Sequence, residues 1–109
     1  MCSVAGITTG GCEKEVLSML KTMTHRAPDD IGVFSDTNIT LGMGRLSIID
    51  LKSDNLCPFQ NHKIVLSFNG EIYNYKSLRK ELEKSGYNFY TSSDTEVLGN
   101  AWDKWGKKI

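Results

Sequence analysis

The chain opens with a strand-like pattern and continues with a helical one. Residues 3–8 alternate small and apolar side chains and run into Gly10-Gly11, which predicts a short strand followed by a turn. Over residues 13–23 the apolar side chains recur at helical spacing, with charged residues on the rest of the cylinder. We therefore expect an amphipathic helix whose apolar face is formed by Val16, Leu17, Leu20 and Met23.

The middle of the chain consists of short apolar runs separated by turn residues. These runs are residues 31–35, 39–41, 46–50, 64–68 and 71–75. The first two are divided by Asp36-Thr37-Asn38 and predict a hairpin. The last two flank Asn69-Gly70, the strongest short-range hairpin signal, so we expect a second hairpin there.

Two further helices are predicted near the C-terminus. Asn74 is placed to cap a helix over residues 76–85, which Gly86 would end. Ser93 and Glu96 have the spacing of a capping box before a last helix. Strands run together with helices between the groups, so the fold class is α+β, with helices covering antiparallel sheets.

Length and charge narrow the class of protein. The 109 residues fit one domain at most, and 13 Lys+Arg balance 13 Asp+Glu. Without a net positive field we do not expect a nucleic-acid partner. The longest apolar run, at residues 64–66, is far short of the roughly 20 residues that span a bilayer, so no membrane segment is expected.

The cysteines indicate a reducing compartment. Cys2, Cys12 and Cys57 are an odd number, and the N-terminus shows no secretory signal, so we expect free thiols and a cytoplasmic protein. A zinc site is poorly supported because no pair of Cys or His residues has the usual ligand spacing. We expect no metal site.

Two glycine patterns approach phosphate-binding motifs and fail. Gly6 and Gly11 have phosphate-loop spacing, but Cys12-Glu13 follows where Lys and Ser or Thr are required. Gly42 and Gly44 lack the third glycine of the dinucleotide pattern, and a strand follows instead of a helix. The sequence therefore gives no sign of nucleotide binding.

Four polar features remain, each with a structural explanation. Cys2 could be an inert buried thiol and Arg45 a solvated charge. Asn69-Gly70 could be only a type I′ turn, and Asp94 a carboxylate that satisfies N–H groups at a helix start. Composition and spacing alone leave these alternatives open.

Five sequence blocks, taken together, resemble the N-terminal glutaminase domain of glutamine-hydrolysing asparagine synthetases, a class II amidotransferase. They occur in that family's order along nearly the whole chain. The blocks are MCSVAGI (1–7), HRAPDD (25–30), LGMGRLSIIDL (41–51), FNGEIYNY (68–75) and SDTEV (93–97).

The resemblance implies a mechanism that uses the N-terminus. Once Met1 is removed, Cys2 would carry both the nucleophilic thiol and the α-amine that serves as its base. The Asn69 side-chain amide and the Gly70 N–H would form the oxyanion hole. Arg45 would bind the α-carboxylate of glutamine, and Asp94, with Glu71 nearby, its α-ammonium.

The resemblance also implies a larger protein. Its fold would be the four-layer αββα sandwich of N-terminal-nucleophile hydrolases, of which residues 1–109 form only the first part. We expect no cofactor in this segment, since ATP and magnesium would belong to an absent synthetase domain. The expected partners are glutamine, the rest of the glutaminase domain and that synthetase domain; the oligomeric state is open, a homodimer being one candidate.

The chain departs from the family at a few positions. Ala27 replaces a usual glycine, and Cys57 stands where glutamine commonly precedes the proline. Because the segment is short, an inactive remnant that binds glutamine or a partner protein without turnover is the alternative function.

Overall fold

The computed structural model describes residues 2–25, 30–45, 57–61 and 63–108. A strand, a helix and two strands come first, followed by a short hairpin and two helices. In chain order the elements are β1 (Ser3–Ile7), α1 (Glu13–Lys21), β2 (Asp30–Ser35), β3 (Thr40–Arg45), β4 (Phe59–Gln60), β5 (Val65–Leu66), α2 (Tyr75–Lys84) and α3 (Asp94–Trp105), with a final 3-10 turn at Gly106–Lys108.

The first half forms a three-stranded antiparallel sheet in the order β1-β3-β2. The predicted β2–β3 hairpin is confirmed, and its turn is held by Asp36, whose Oδ1 accepts from the N–H groups of Asn38 and Ile39 at 2.7 and 2.9 Å. Strand β3 continues to Arg45, beyond the predicted end at residue 41. This extension lets the central strand pair with β2 over its whole length and with β1 over residues 40–44.

Helix α1 covers one face of this sheet, as its pattern predicts. Val16 and Leu20 are buried, and they pack so closely on Gly42 that a Cβ there would lie 2.4 Å from Val16 Cγ1. The helix ends at Lys21, two residues before the predicted end. The other segments of the chain can therefore pack on the opposite face of the sheet.

The predicted hairpin at Asn69-Gly70 is wrong. Strand β5 pairs with β4, and residues 71–74 are not a strand but lead directly into α2. Neither Asn69 nor Gly70 has the positive φ that a type I′ turn requires. The hairpin lies one strand earlier, where the Oδ1 of Asn61 accepts from Lys63 N and Ile64 N at 2.8 and 2.9 Å.

Helices α2 and α3 pack together through an apolar core. Leu82 of α2 and Val97 and Ala101 of α3 are its buried members. Gly86 has φ +95° just after α2, which confirms the predicted stop. Asn74 occupies the predicted cap position of α2, although its side chain makes no capping hydrogen bond.

The described elements confirm an α+β class with antiparallel sheets and helices. The four-layer sandwich stays a prediction. The predicted strand at residues 46–50, most of the 25–30 loop with Ala27, and Met1 lie outside the described residues.

Candidate functional site

Strand pairing brings Cys2 and Arg45 to the same end of the sheet. Ser3 pairs with Gly44, so continuing the antiparallel register by one residue sets Cys2 opposite Arg45. On the other side Arg45 pairs with Asp30 of β2. Residues directly opposite one another share a face and have Cβ atoms roughly 5 Å apart, so Cys2, Arg45 and Asp30 form a row across the sheet.

This row lies on the face opposite α1. Side chains alternate between the two faces along a strand. Arg45 lies three residues after Gly42, which α1 covers, so Arg45 is on the other face of the sheet. Arg45 is only 8% exposed. The interpretation of Arg45 as a solvated surface charge is therefore wrong, and a buried guanidinium at this place is suited to a carboxylate.

Cys57 lies against the same end of the sheet. Its thiol donates to the Met43 carbonyl at 2.9 Å and approaches the Asp30 carbonyl at 3.8 Å. Burial, reinforced by the negative charge of Asp30, raises the pKa of Cys57 to about 12 despite the opposing effects of a hydrogen bond with the Gly32 backbone and of the Arg45 charge. The Cys57 thiol therefore keeps its proton near neutral pH, which disfavours it as a nucleophile.

In the sequence, Cys57 stands out only as a departure from the family pattern. Its contacts on Met43 and Asp30 are 14 and 27 residues away along the chain. The close fit over Gly32 is equally non-local, since a Cβ on Gly32 would lie 1.8 Å from the Cys57 carbonyl oxygen. No local pattern signals such a contact, although a glycine inside a strand is itself a hint of close backbone approach.

Asp94 marks a second group, at the start of α3. It is the first residue of the helix and only 7% exposed, and its Oδ2 accepts from the N–H of Ile72 at 3.0 Å. The carboxylate thus holds the segment that follows Asn69, Gly70 and Glu71, three exposed residues. This bond joins residues 22 positions apart in the sequence. It is additional to the helix-start role that the sequence alone suggests for Asp94.

The capping box predicted before α3 is half right. Ser93 Oγ accepts from Thr95 N at 3.1 Å, as expected of an N-cap. Glu96 does not bond back to the Ser93 N–H, which donates instead to Thr91 Oγ1 at 3.1 Å. The Glu96 carboxylate accepts from residues 90 and 91, upstream of the helix.

Residues 57–59 connect the two groups. Cys57 lies on the sheet, while buried Phe59 packs on α3 so closely that a Cβ on Gly99 would lie 2.5 Å from its Cε1. Among the described residues Cys2 makes no hydrogen bond with Asn69 or Gly70. The structure therefore brings Cys2 and Arg45 to the same end of the sheet and bonds Asp94 to Ile72, while contact between nucleophile and oxyanion donors stays a prediction.

The described part of the chain offers little for two other types of site. It contains no group of three or more His, Cys, Asp or Glu side chains arranged to hold a metal ion. No helix in it is long and apolar enough to cross a bilayer. A cleft of about 460 Å³ lies between the β4–β5 hairpin and α3, and Cys2 is not in its lining, which includes Lys63, Tyr87, Asn100 and Asp103.

The sequence of the chain is similar to proteins of known family. The family model of the glutamine amidotransferase domain matches residues 1–109. Asparagine synthetase [glutamine-hydrolyzing] 1 of Bacillus subtilis is 41% identical over 106 residues, 90% of this chain and 17% of the relative. Asparagine synthetase B of Escherichia coli is 39% identical over 90% of this chain and 19% of the relative. An Arabidopsis thaliana asparagine synthetase is 33% identical over 97% and 19%.

The chain thus spans about a fifth of the length of the curated relatives that it matches. The match to the family model covers every residue, and the resemblance expected from the five sequence blocks is confirmed. The chain belongs to the glutamine amidotransferase domain family.

Proposed function

We propose that this chain supplies the catalytic start of a glutaminase, in which Cys2 hydrolyses glutamine to glutamate and ammonia. The observation that supports the proposal is the pairing of Ser3 with Gly44 beside a buried Arg45, because the same register continued by one residue would set Cys2 opposite Arg45. A nucleophile and a carboxylate receptor on neighbouring strands suit a substrate that ends in an α-carboxylate.

The chemistry begins at the N-terminus. With Met1 removed, the α-amine of Cys2 takes the thiol proton, and the sulfur attacks the side-chain amide carbon of glutamine. The tetrahedral intermediate collapses with loss of ammonia, which carries away the transferred proton, and leaves a γ-glutamyl thioester. Water then attacks the thioester, releasing glutamate and restoring the thiol. One residue thus provides both nucleophile and base.

Recognition of the substrate requires opposite charges at a fixed separation, because free glutamine is a zwitterion. Arg45 would take the α-carboxylate, and Asp94 and Glu71 the α-ammonium. Arg45 and Asp94 are both buried, which strengthens such charged hydrogen bonds relative to those on an open surface. Their burial supports these two assignments; Glu71 is exposed and would act beside Asp94.

The oxyanion would be stabilised by the Asn69 amide and the Gly70 N–H. Both residues are exposed and precede the Ile72 N–H that Asp94 holds. Gly70 carries no Cβ to obstruct a ligand that approaches its backbone. The Asp94 bond therefore gives this segment a fixed anchor at Ile72, two residues after Gly70 and three after Asn69.

The ammonia would be used for amide synthesis. The named relatives are glutamine-hydrolysing asparagine synthetases, and they are about five times as long as this chain. We infer that the chain acts with the remainder of a glutaminase domain and with a synthetase domain. ATP and magnesium would bind in that synthetase domain, with asparagine or a similar amide as product.

The test uses the full-length protein and two ways of disabling the N-terminal cysteine. Cys2→Ala should abolish glutamate release and thioester formation while glutamine still binds, because sulfur contributes bond formation rather than ground-state recognition. A preparation that retains Met1, verified by intact mass, should also be inactive. Cys12→Ala is the matched control and should hydrolyse glutamine normally.

Three results would contradict the proposal. Hydrolysis by a preparation that keeps Met1 would exclude the α-amine as base. Equal loss of activity in Cys2→Ala and Cys12→Ala would mean that the nucleophile is misassigned. Binding of glutamine without turnover by the unmodified full-length protein would favour the inactive remnant.

A further inference from the structure

We infer that Glu96, acting through Thr91, is a positioning residue for the glutamine site: its hydrogen bonds fix the first turn of α3 and thereby the place of Asp94. The inference rests on the proposed function, in which Asp94 receives the α-ammonium of glutamine. Glu96 itself is not expected to touch the substrate.

Glu96 is a buried carboxylate with unusually many donors around it. It is 4% exposed. Its Oε1 accepts from the Thr91 N–H at 2.8 Å and from the Thr91 hydroxyl at 2.6 Å, and its Oε2 from the Tyr90 N–H at 3.0 Å. A carboxylate is stable at such burial only when its oxygens are satisfied in this way. The first turn of α3 is thus tied to the chain that precedes it.

Thr91 carries the connection back towards Asp94. Its Oγ1 accepts from the Ser93 N–H at 3.1 Å, and Ser93 in turn caps α3 through Thr95 N at 3.1 Å. Arg79 of α2 donates from Nη1 to the Thr91 carbonyl at 2.5 Å. Thr91 is therefore held by both helices, and it holds the residue immediately before Asp94.

Asp94 receives this constraint as the first residue of α3. Its Oδ2 accepts from Ile72 N at 3.0 Å, and a shift of the first turn of α3 moves this carboxylate, the proposed ammonium receptor. A misplaced Asp94 weakens a contact that substrate and transition state make equally, because the α-ammonium keeps its charge throughout the reaction. Loss of Glu96 should therefore raise KM for glutamine more than it lowers kcat.

A double-mutant cycle in the full-length protein separates positioning from general stability. Glu96→Ala should raise KM for glutamine about tenfold, the size of one hydrogen bond to a charged group. In an Asp94→Ala background the same change should raise KM by less than about twofold, because the group it positions is gone. Glu96→Gln keeps an acceptor oxygen and should recover most of the affinity.

The matched control removes a hydrogen bond at the other end of α3. Tyr87 donates its hydroxyl proton to Asp103 Oδ2 at 2.7 Å, so Tyr87→Phe deletes one side-chain bond to the same helix away from Asp94. It should leave KM unchanged. If Glu96→Ala fails to fold, Thr91→Val, which replaces the hydroxyl by a methyl group, takes its place. It should raise KM in the unmodified protein and have little further effect in the Asp94→Ala background.

The outcomes separate this inference from the proposed function. Full additivity of Asp94→Ala with Glu96→Ala, or with Thr91→Val, would overturn the positioning role even if Asp94 binds glutamine. Unchanged KM in Asp94→Ala would instead overturn the ammonium assignment and the inference with it. A rise in KM for Tyr87→Phe as large as for Glu96→Ala would show that any weakening of α3 suffices.

Discussion

The two halves of the proposed site are held in different ways. At the sheet end, main-chain pairing holds Arg45 against Asp30 of β2 and holds Ser3, the residue after Cys2, against Gly44, and such pairing depends little on which side chains the strands carry. At the start of α3, Asp94 is placed by side-chain hydrogen bonds that involve Glu96, Thr91 and Ser93. One half depends on backbone register and the other on polar side chains.

This difference predicts different sensitivities to mutation. In the sheet half, removing a functional side chain should leave its neighbours in place, whereas crowding the backbone should be costly. In the α3 half, loss of a polar side chain should displace residues that are otherwise unchanged, because a buried donor or acceptor loses its partner. Substitutions in each half test whether the contrast holds.

The largest expected effect comes from comparing Asn69→Ala with Arg45→Ala. Asn69→Ala should lower kcat by about 100-fold to 1000-fold, the usual cost of an oxyanion donor, because the amide oxygen becomes negative only during attack. Arg45→Ala should weaken glutamine binding by about 2–3 kcal/mol, because the α-carboxylate is charged from the start. Steady-state kinetics and binding by calorimetry on the full-length protein separate the two.

Two results would contradict this contrast between the variants. If Asn69→Ala raises KM as much as Arg45→Ala and leaves kcat unchanged, Asn69 is not an oxyanion donor. If Arg45→Ala also displaces Cys57, seen as a change in its alkylation rate, the sheet half is not held by backbone pairing alone.

The next effect concerns crowding in each half. Gly32→Ala sets a Cβ 1.8 Å from the Cys57 carbonyl oxygen, a backbone atom that moves only with the whole segment. It should lower the free energy of unfolding by about 1–3 kcal/mol, the usual cost of overpacking. Gly99→Ala meets the Phe59 ring at 2.5 Å but gains up to about 1 kcal/mol of helix propensity, so its net cost should be smaller.

Urea unfolding of both variants, followed by the fluorescence of Trp102 and Trp105 in α3, measures these costs. An equal or larger loss for Gly99→Ala would show that the helix half is as intolerant of crowding as the sheet half. The contrast between the halves would then have to be abandoned.

In the first half of the chain, the local sequence pattern was sufficient to predict the type of each described element. Alternation predicted β1, helical spacing predicted α1, and the turn at residues 36–38 predicted the hairpin, because each depends on neighbours a few residues away. The Asn69-Gly70 hairpin failed for a tertiary reason. The Ile72 N–H is satisfied by Asp94, 22 residues downstream, and the chain then turns into α2 through the bond from Tyr75 N to Ile72 O.

The candidate site shows the same division between residues that the sequence identifies and contacts that depend on the tertiary fold. The resemblance identified Cys2, Arg45 and Asp94 by residue type, and the structure adds that Arg45 and Asp94 are buried. The Ser93-to-Glu96 spacing correctly predicted the start of α3, but the partners of Glu96 depend on how residues 90 and 91 approach the helix. Contacts made across the fold, like that of Cys57 on the sheet, have no signature in local spacing.

The last prediction tests the environment of Cys57 at the sheet end. Burial and the charge of Asp30 raise the pKa of its thiol from 9.0 to about 12, so the folded protein holds this proton where the unfolded chain has lost it. The contribution of Cys57 to stability is therefore complete below pH 9 and is lost as pH rises towards 12. Urea midpoints of the reduced protein, compared between pH 8 and 11, should fall more steeply for the unmodified chain than for Cys57→Ser, whose hydroxyl does not titrate in this range. Parallel pH profiles would mean that the folded sheet end does not hold this proton, and that Cys57 ionises in the fold as readily as in the unfolded chain.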